Sequence, residues 1–447
     1  MKQLLVVFTL LLCCKFSAAQ FGILERAKQS AKNKVNNKID EKVNKGIDKA
    51  VDGADNEVSG KNKKSSGGNT SKGQNGQDDV INGQDGGSKS NSKTSSGFKA
   101  YSKFDFVPGE KLVAAEDFSQ DAIGDFPDKW NTNGSGEIVT VNSATGKFLM
   151  TRKEIVFYPE WIKNLPDNFT LEFDLLCTEK FSYYSGGFLV GFSTAANVGK
   201  DFRKFARFGE GRVENGGGFE VGFHPQNAGG AQGTTSFYSS MDGKEVLRNE
   251  ADQDLFSEPN KTMVHISIWR QKGRVRAYMN DKKVWDLPKG VSDGLKLNAL
   301  YFRNNGATDD NDAYYVGNIR LAVGAPDTRN KLITEGKFVT HGILFDVNSD
   351  KIKPESYGAV KDIANVLNEN ADVKVKIIGH TDSDGDDKAN LDLSKRRAEA
   401  VKAMLSKEFS VSTDRMQTDG KGEASPIDNN TTPVGKANNR RVEFVKM

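Results

Sequence analysis

His380–Leu405 reads HTDSDGDDKANLDLSKRRAEAVKAML, and the second half of this stretch decides the fold of the C-terminal part of the chain. Laid on a helix at 100° per residue, Leu393, Ala400, Val401, Met404 and Leu405 fall on one arc. Arg397 sits inside that arc, four residues from both Leu393 and Val401. Lys395, Glu399, Lys402 and Ser406 take the opposite side, where solvated groups belong. An arginine in an apolar row is costly unless its head finds a negative or polar partner. Either the stem packs while the guanidinium snorkels or pairs internally, or the guanidinium is there to meet a ligand.

Upstream, ADVKVKIIGH (371–380) alternates Val373, Val375 and Ile377 with lysines, as a half-buried strand does. Thr381-Asp382-Ser383-Asp384-Gly385 follows as a turn-rich loop, and then the helix. His380-Thr381-Asp382, Gly385, Asn390, Leu393-Ser394, Arg397-Ala398, Val401, Leu405 and the terminal Asn438-Asn439-Arg440-Arg441-Val442-Glu443 together resemble the OmpA C-terminal domain family over about residues 335–447. The resemblance implies non-covalent binding of peptidoglycan in the periplasm. Its ligand would be the diamino acid of the peptide stem, usually diaminopimelate, which carries an ammonium and a carboxylate on one carbon. Asp382 matches the residue that takes the ammonium, and Arg397 the one that forks onto the carboxylate, which a lysine cannot reproduce. Asn348, in Phe345-Asp346-Val347-Asn348, together with Asn390 and Arg440, matches further polar contacts around the stem. Such a site is a clamp and needs no nucleophile, metal or acid–base pair.

For this module an α/β arrangement of order β-α-β-α-β-β is expected. The strands are placed near 337–345, 373–379, 415–419 and 440–446, and the helices at 354–368 and 388–406, with Pro354 in a first turn. Tyr357, Val360, Ile363, Ala364 and Leu367 should face the sheet.

At 447 residues the chain exceeds one ordinary core, and two or three domains are expected. A formal charge of +3 is small for this size and points away from nucleic acid. Residues 1–19 read as a secretory leader: Lys2, an apolar run from Leu4 to Cys14, then Ser17-Ala18-Ala19 before Gln20, too short to span a bilayer. Lipidation at Cys13 or Cys14 is the other reading, but Leu12 precedes the first and Lys15 follows the second, where a lipobox wants a small residue before its cysteine. Removal of the leader leaves Cys177 alone, so no intramolecular disulfide is expected. Cys177 ends the alternation Phe169, Leu171, Phe173, Leu175 and reads as a small buried hydrophobe. His224, His265, His341 and His380 lack ligand spacing, and no zinc site is indicated.

Residues 20–58 carry Val35, Ile39, Val43, Ile47 and Val51 at a spacing of four, a thin stripe that winds around a helix. This block reads as a partly helical spacer, or as a helix that self-associates or lies on a membrane. Residues 59–97 are Gly, Ser, Asn, Lys, Gln and Asp, a flexible linker expected to be disordered, with a mean reach of ~35 Å.

Residues 98–330 hold short alternating segments: Glu137–Val141, Lys147–Thr151, Phe169–Cys177, Gly186–Phe192, Gly218–Phe223, Val264–Gln271, Val275–Met279, Lys283–Leu287, Leu297–Arg303 and Tyr314–Leu321. Asn280-Asp281 marks a hairpin. Many short strands favour an all-β two-sheet sandwich. Glu116-Asp117-Phe118, Gly124-Asp125-Phe126-Pro127, Trp130 and the closing Tyr315–Leu321 resemble concanavalin-A-like or laminin-G-like jelly rolls. A membrane barrel fits less well, because barrel strands need roughly 9–11 residues, whereas these segments are mostly five to nine and loops such as 193–217 and 225–236 are long on both sides.

Glu172-Phe173-Asp174 begins the acidic strand of laminarinase-type jelly rolls, but Cys177 stands where the third acid should be and Glu179 comes two residues late. Period two turns Glu172 and Asp174 outward, where they read as solvent-facing. Asp309, Asp310 and Asp312 are calcium candidates and equally turn formers. Phe181, Tyr183, Tyr184 and Phe188 either stack on sugar or complete the core. Three readings follow: a non-enzymatic envelope protein tethered to peptidoglycan, its sandwich offered to a glycan or envelope protein; a wall-anchored glycan-active enzyme; and an outer-membrane barrel.

Overall fold

The computed structural model describes residues 104–202, 216–228, 230, 232–324 and 327–447. The leader, the spaced-by-four block and the linker lie outside them. Fifteen strands are described before residue 324. The first five are β1 (Lys111–Glu116), β2 (Trp130–Thr132), β3 (Glu137–Val141), β4 (Ala144–Thr151) and β5 (Ile155–Pro159). Next come β6 (Asn168–Cys177), β7 (Phe188–Ser193), β8 (Gly218–His224), β9 (Gly233–Met241) and β10 (Lys244–Gln253). The last five are β11 (Met263–Gln271), β12 (Arg274–Met279), β13 (Lys282–Leu287), β14 (Ala299–Asn304) and β15 (Tyr314–Val323).

They form two open antiparallel sheets. One runs β13-β12-β11-β6-β15-β4-β3 with β1 also on β15, and the other β10-β9-β8-β7-β14-β5-β2. Alternation on β6 sends Phe169, Leu171, Phe173 and Leu175 inward, against Phe188, Val190 and Phe192 of β7 and Phe219, Val221 and Phe223 of β8. Phe169 of β6 meets Phe192 of β7 at 4.9 Å and Phe173 of β6 meets Phe302 of β14 at 5.4 Å, so aromatic contact joins the layers. Cys177 is buried in this core as expected. Asn280, at φ +51°, makes the two-residue hairpin between β12 and β13.

The C-terminal domain adds β16 (Lys337–Thr340), α1 (Tyr357–Glu369), β17 (Val375–Gly379), α2 (Asp387–Phe409), β18 (Met416–Gly420), α3 (Pro433–Asn439) and β19 (Val442–Lys446). Its sheet runs β16-β19-β17-β18, with β17 and β18 parallel. Val360, Ile363, Ala364 and Leu367 of α1 and Ala398, Val401 and Leu405 of α2 pack on Val375, Ile377, Met416 and Phe444. The first strand stops at Thr340, five residues early, and α3 is a helix the pattern did not signal. Among the described residues no helix is long and apolar enough to cross a membrane.

Two expectations fail for one reason, the docking of this domain on the outer face of the first sheet. Tyr357 does not face its own sheet: it meets Phe409 at 5.1 Å and joins Phe104, Phe106, Trp269 and Tyr278. Glu172 and Asp174 point away from the sandwich core as period two requires, yet both are buried. Arg320 of β15 donates to the carbonyl of His341 at 2.9 Å, tying the two domains together. A side chain at Gly358 would lie 2.1 Å from the Phe106 carbonyl oxygen, so only glycine permits this approach.

Candidate functional site

The loop between β17 and α2 is fixed by backbone bonds from His380 N to Arg441 O and from Thr381 N to Gly422 O, both 3.0 Å. Asp382 Oδ1 accepts from Asp384 N at 3.2 Å, closing a local turn, and Gly385 follows at φ +102°. Asp386 caps α2 by accepting from Lys388 N and Ala389 N at 3.0 and 3.1 Å. Asn390 is buried, and its amide donates to Asp384 O at 3.0 Å and to Glu423 Oε2 at 2.6 Å. Its work here is to hold the loop on which Asp382 rides.

The buried stripe of α2 is Asn390, Ser394, Ala398, Val401 and Leu405. Leu393, Arg397, Ala400 and Met404 are half-buried beside it, so the arc is rotated by about one residue from the expected one. Close approach explains the rotation. A Cβ on Gly379 would come 2.2 Å from Ser394 O, and one on Gly420 2.5 Å from Lys395 N. Only small residues fit between helix and strand ends, and Arg397 is left at the margin.

There Arg397 donates Nε to Ser349 O at 3.0 Å and lays its guanidinium over Phe345 at 4.8 Å. Burial, then the neighbouring Arg440 charge, draw its pKa down to about 10, while Asp382 acts in the opposite sense. Asp382 does not pair with Arg397; its Oδ2 accepts from Arg440 Nη1. Among the described residues no carboxylate lies within 4.0 Å of the Arg397 guanidinium. The structure thus brings Asp382, Arg397 and Arg440 together, with one anion for two cations.

Asn348 is exposed at φ +52°, third in the turn closed by Ser349 N on Asp346 O at 3.1 Å. Asparagine tolerates this left-handed backbone, and the turn aims the Ser349 carbonyl at Arg397. Sequence reasoning missed Ser349 and Phe345 as supports of the arginine. The only available signal was the turn-forming Asp-Val-Asn-Ser run after Phe345.

The sandwich acids have a different setting. Asp174 Oδ1 meets His265 Nδ1 at 2.7 Å and its Oδ2 accepts from Asn318 Nδ2 at 2.7 Å. Glu172 Oε2 lies 3.6 Å from His265 Nε2, a charge contact too long for a hydrogen bond. Burial works against a charge on His265, but Asp174 and then Glu172 outweigh it and raise its pKa to about 10. Glu179, two positions past Cys177, is exposed.

Of the calcium candidates, Asp312 is fully buried and its Oδ2 accepts from Ser182 N and Ser185 Oγ at 3.0 and 2.5 Å. Asp309 accepts from Asn311 N at 2.8 Å, and Asp310 gives its carbonyl to Arg152 at 3.0 Å. Among the described residues no three His, Cys, Asp or Glu side chains converge in a metal-binding arrangement. Phe181 and Phe188 are core, whereas Tyr183 and Tyr184 are exposed.

Residues 344–440 match the OmpA family, and that stretch is an OmpA family domain. Outer membrane porin F of Pseudomonas fluorescens is 43% identical over 101 residues, which are 23% of this chain and 31% of that protein. The outer-membrane lipoprotein YfiB of Pseudomonas aeruginosa is 36% identical over 103 residues, 23% of this chain and 61% of that one. Each of these relatives is therefore matched over less than two thirds of its length. The solved peptidoglycan-associated lipoprotein from Burkholderia pseudomallei is 25% identical and covers 27% of this chain and 100% of its own, with a TM-score of 0.24.

Proposed function

We propose that this is a non-enzymatic cell-envelope protein of the periplasm or outer membrane, held non-covalently to peptidoglycan by residues 335–447. The carrying observation is Arg397, a half-buried guanidinium with no carboxylate at ion-pair distance among the described residues, beside the acid Asp382. A head group bearing a carboxylate and an ammonium on one carbon answers both. Its carboxylate takes the Arg397 fork and its ammonium takes Asp382, and each bond is charge-assisted and partly desolvated. The diamino acid of a peptide stem has that chemistry and leaves its other end bonded to the wall. Asn348 stands one residue before Ser349, whose carbonyl holds Arg397, and Asn390 keeps the loop in place. The sandwich, read as a lectin-like jelly roll, is then displayed for contact with a glycan or another envelope protein, with Tyr183 and Tyr184 on its surface.

The test is co-sedimentation of the purified full chain with peptidoglycan sacculi. Asp382→Ala and Arg397→Ala should each weaken binding by ~2–4 kcal/mol, because either change leaves a partner charge unmatched. Arg397→Lys should recover little of it, since a point charge lacks the fork. Equal pelleting of wild type and both alanine variants, all folded, would remove the clamp from consideration.

A further inference from the structure

Helix α3 connects the clamp to the rest of the molecule. On one side Lys436 donates to Asp384 Oδ1 at 2.7 Å, and Arg440 closes the helix with its N–H on Lys436 O at 3.0 Å while its side chain reaches Asp382. On the other side Ala437 packs with Leu112 and Ala322 of the sandwich. Asn439 is fully buried and its Oδ1 accepts from Ile427 N and Asp428 N at 2.8 and 3.0 Å. The backbone that carries Arg440 is therefore anchored on both flanks. Its side chain, by contrast, is 43% exposed, while that of Asp382 is 10% exposed. Arg440 can leave Asp382 by rotating toward water with no movement of α3.

We propose that Arg440 is an internal competitor for Asp382: its guanidinium stands where a ligand ammonium has to go, so occupation of the clamp exchanges one cation for another. This rests on the clamp reading given above and assigns Arg440 a part opposite to that of a ligand contact. In the empty site Arg440 neutralises Asp382, and the loop keeps its shape through the separate Lys436–Asp384 pair. A ligand with only a carboxylate can sit on Arg397 and leave the Asp382–Arg440 pair intact. A ligand with both groups must break that partly exposed pair first, and only the surplus of the new, more desolvated pair over the old one counts toward affinity. Arg440 thus lowers affinity for the amino-acid head group and narrows its advantage over a plain acid. Reversible attachment to the wall would follow.

Calorimetric titration of the purified full chain at one fixed low salt concentration tests this, with meso-diaminopimelic acid and pimelic acid, the same skeleton without amines, as probes. Arg440→Gln should bind diaminopimelic acid about threefold more tightly, the scale of a partly exposed ion pair. It should bind pimelic acid more weakly, because Asp382 then repels it. Arg440→Lys keeps a cation without the fork and should fall between wild type and Arg440→Gln, which guards against an effect of folding alone. Weaker binding of diaminopimelic acid by Arg440→Gln would make Arg440 a ligand contact and overturn the proposal, as would no change with either probe. If Asp382→Ala and Arg397→Ala bind diaminopimelic acid like wild type, the clamp itself is misassigned and this inference goes with it. Loss in those two variants alongside weakening in Arg440→Gln refutes the competitor alone.

Discussion

Two acidic side chains, Asp174 on β6 and Asp382 in the loop proposed as a clamp, are each buried beside a cation and a hydrogen-bond donor, and their settings differ. Asp174 is buried among partners from several elements. His265 and Asn318 bond it, Glu172 lies on the same face, and Lys353 of the C-terminal domain contributes a favourable charge. Asp382 sits on a loop with its cation partner 43% exposed to water. The first arrangement is interior because a second domain covers it; the second is interior only as far as a cleft is. A charge that a domain interface encloses has no route of exchange, so it fixes the interface. A charge at the lip of a cleft can change partner, and that is what a binding site requires.

The strongest way to break this contrast is to remove the cation from the enclosed site. His265→Ala leaves Glu172 and Asp174 side by side under the C-terminal domain without their partner. Loss of one member of a buried pair typically costs ~3–5 kcal/mol. Urea unfolding of the full chain at pH 6.5 should show a loss of that order. A midpoint equal to wild type would mean that water reaches these acids and that the two domains do not enclose them.

Acidity separates the interface histidines further. The folded pKa of His265, about 10, exceeds the ordinary value of about 6.5. Its contribution is complete below about pH 6.5 and fades as pH rises toward 10. His341, across the interface, is held down to about 4 by burial and by Arg320 and Arg441. It stays neutral in the folded chain while the unfolded chain takes up a proton, so its contribution is complete above about pH 6.5 and is lost toward pH 4. Asp174, below the usual carboxylate range despite burial, adds stability that disappears only at lower pH still. Urea midpoints should therefore peak near neutral pH. His265→Gln should flatten the alkaline side and His341→Gln the acid side down to the carboxylate range. An alkaline slope that survives in His265→Gln would place its origin elsewhere.

The same contrast explains what could be read from the residues alone. The strand–loop–helix run 371–405 is governed by local alternation, caps and turns, so β17, the clamp loop and α2 were legible, and with them the neighbourhood of Asp382 and Arg397. On the sandwich, alternation correctly turned Glu172 and Asp174 away from the Phe core. It could not show that another domain lies on that face, because the contacts of Arg320 with His341 and of Gly358 with Phe106 join distant parts of the chain. Tyr357 was misplaced for the same reason. The pairing of Asp382 with Arg440 escaped notice because it depends on α3, a short helix begun by Pro433 and carrying little apolar pattern. The one-residue rotation of α2 came from glycines 379 and 420 on the strands beneath it, which a wheel drawn for the helix alone does not contain.

The smallest expected effect is the sharpest control on the clamp. Arg396 and Arg397 are the same residue type at adjacent positions, and one helical step of 100° separates their settings. Arg396 lies in the open and pairs with Asp392 one turn back at 2.9 Å and with Asp350 at 3.3 Å. Both partners stay hydrated when it is removed, and exposed ion pairs of this kind contribute little. Arg397 instead has its stem against the helix margin, its guanidinium on Phe345 and its Nε on Ser349. Arg396→Ala should accordingly leave the urea midpoint unchanged within error and hold sacculus binding to within about twofold of wild type, while Arg397→Ala loses most of it. A loss with Arg396→Ala as large as that with Arg397→Ala would mean that the wall senses the positive charge of this helix as a whole, and the case for a clamp built around one guanidinium would fall.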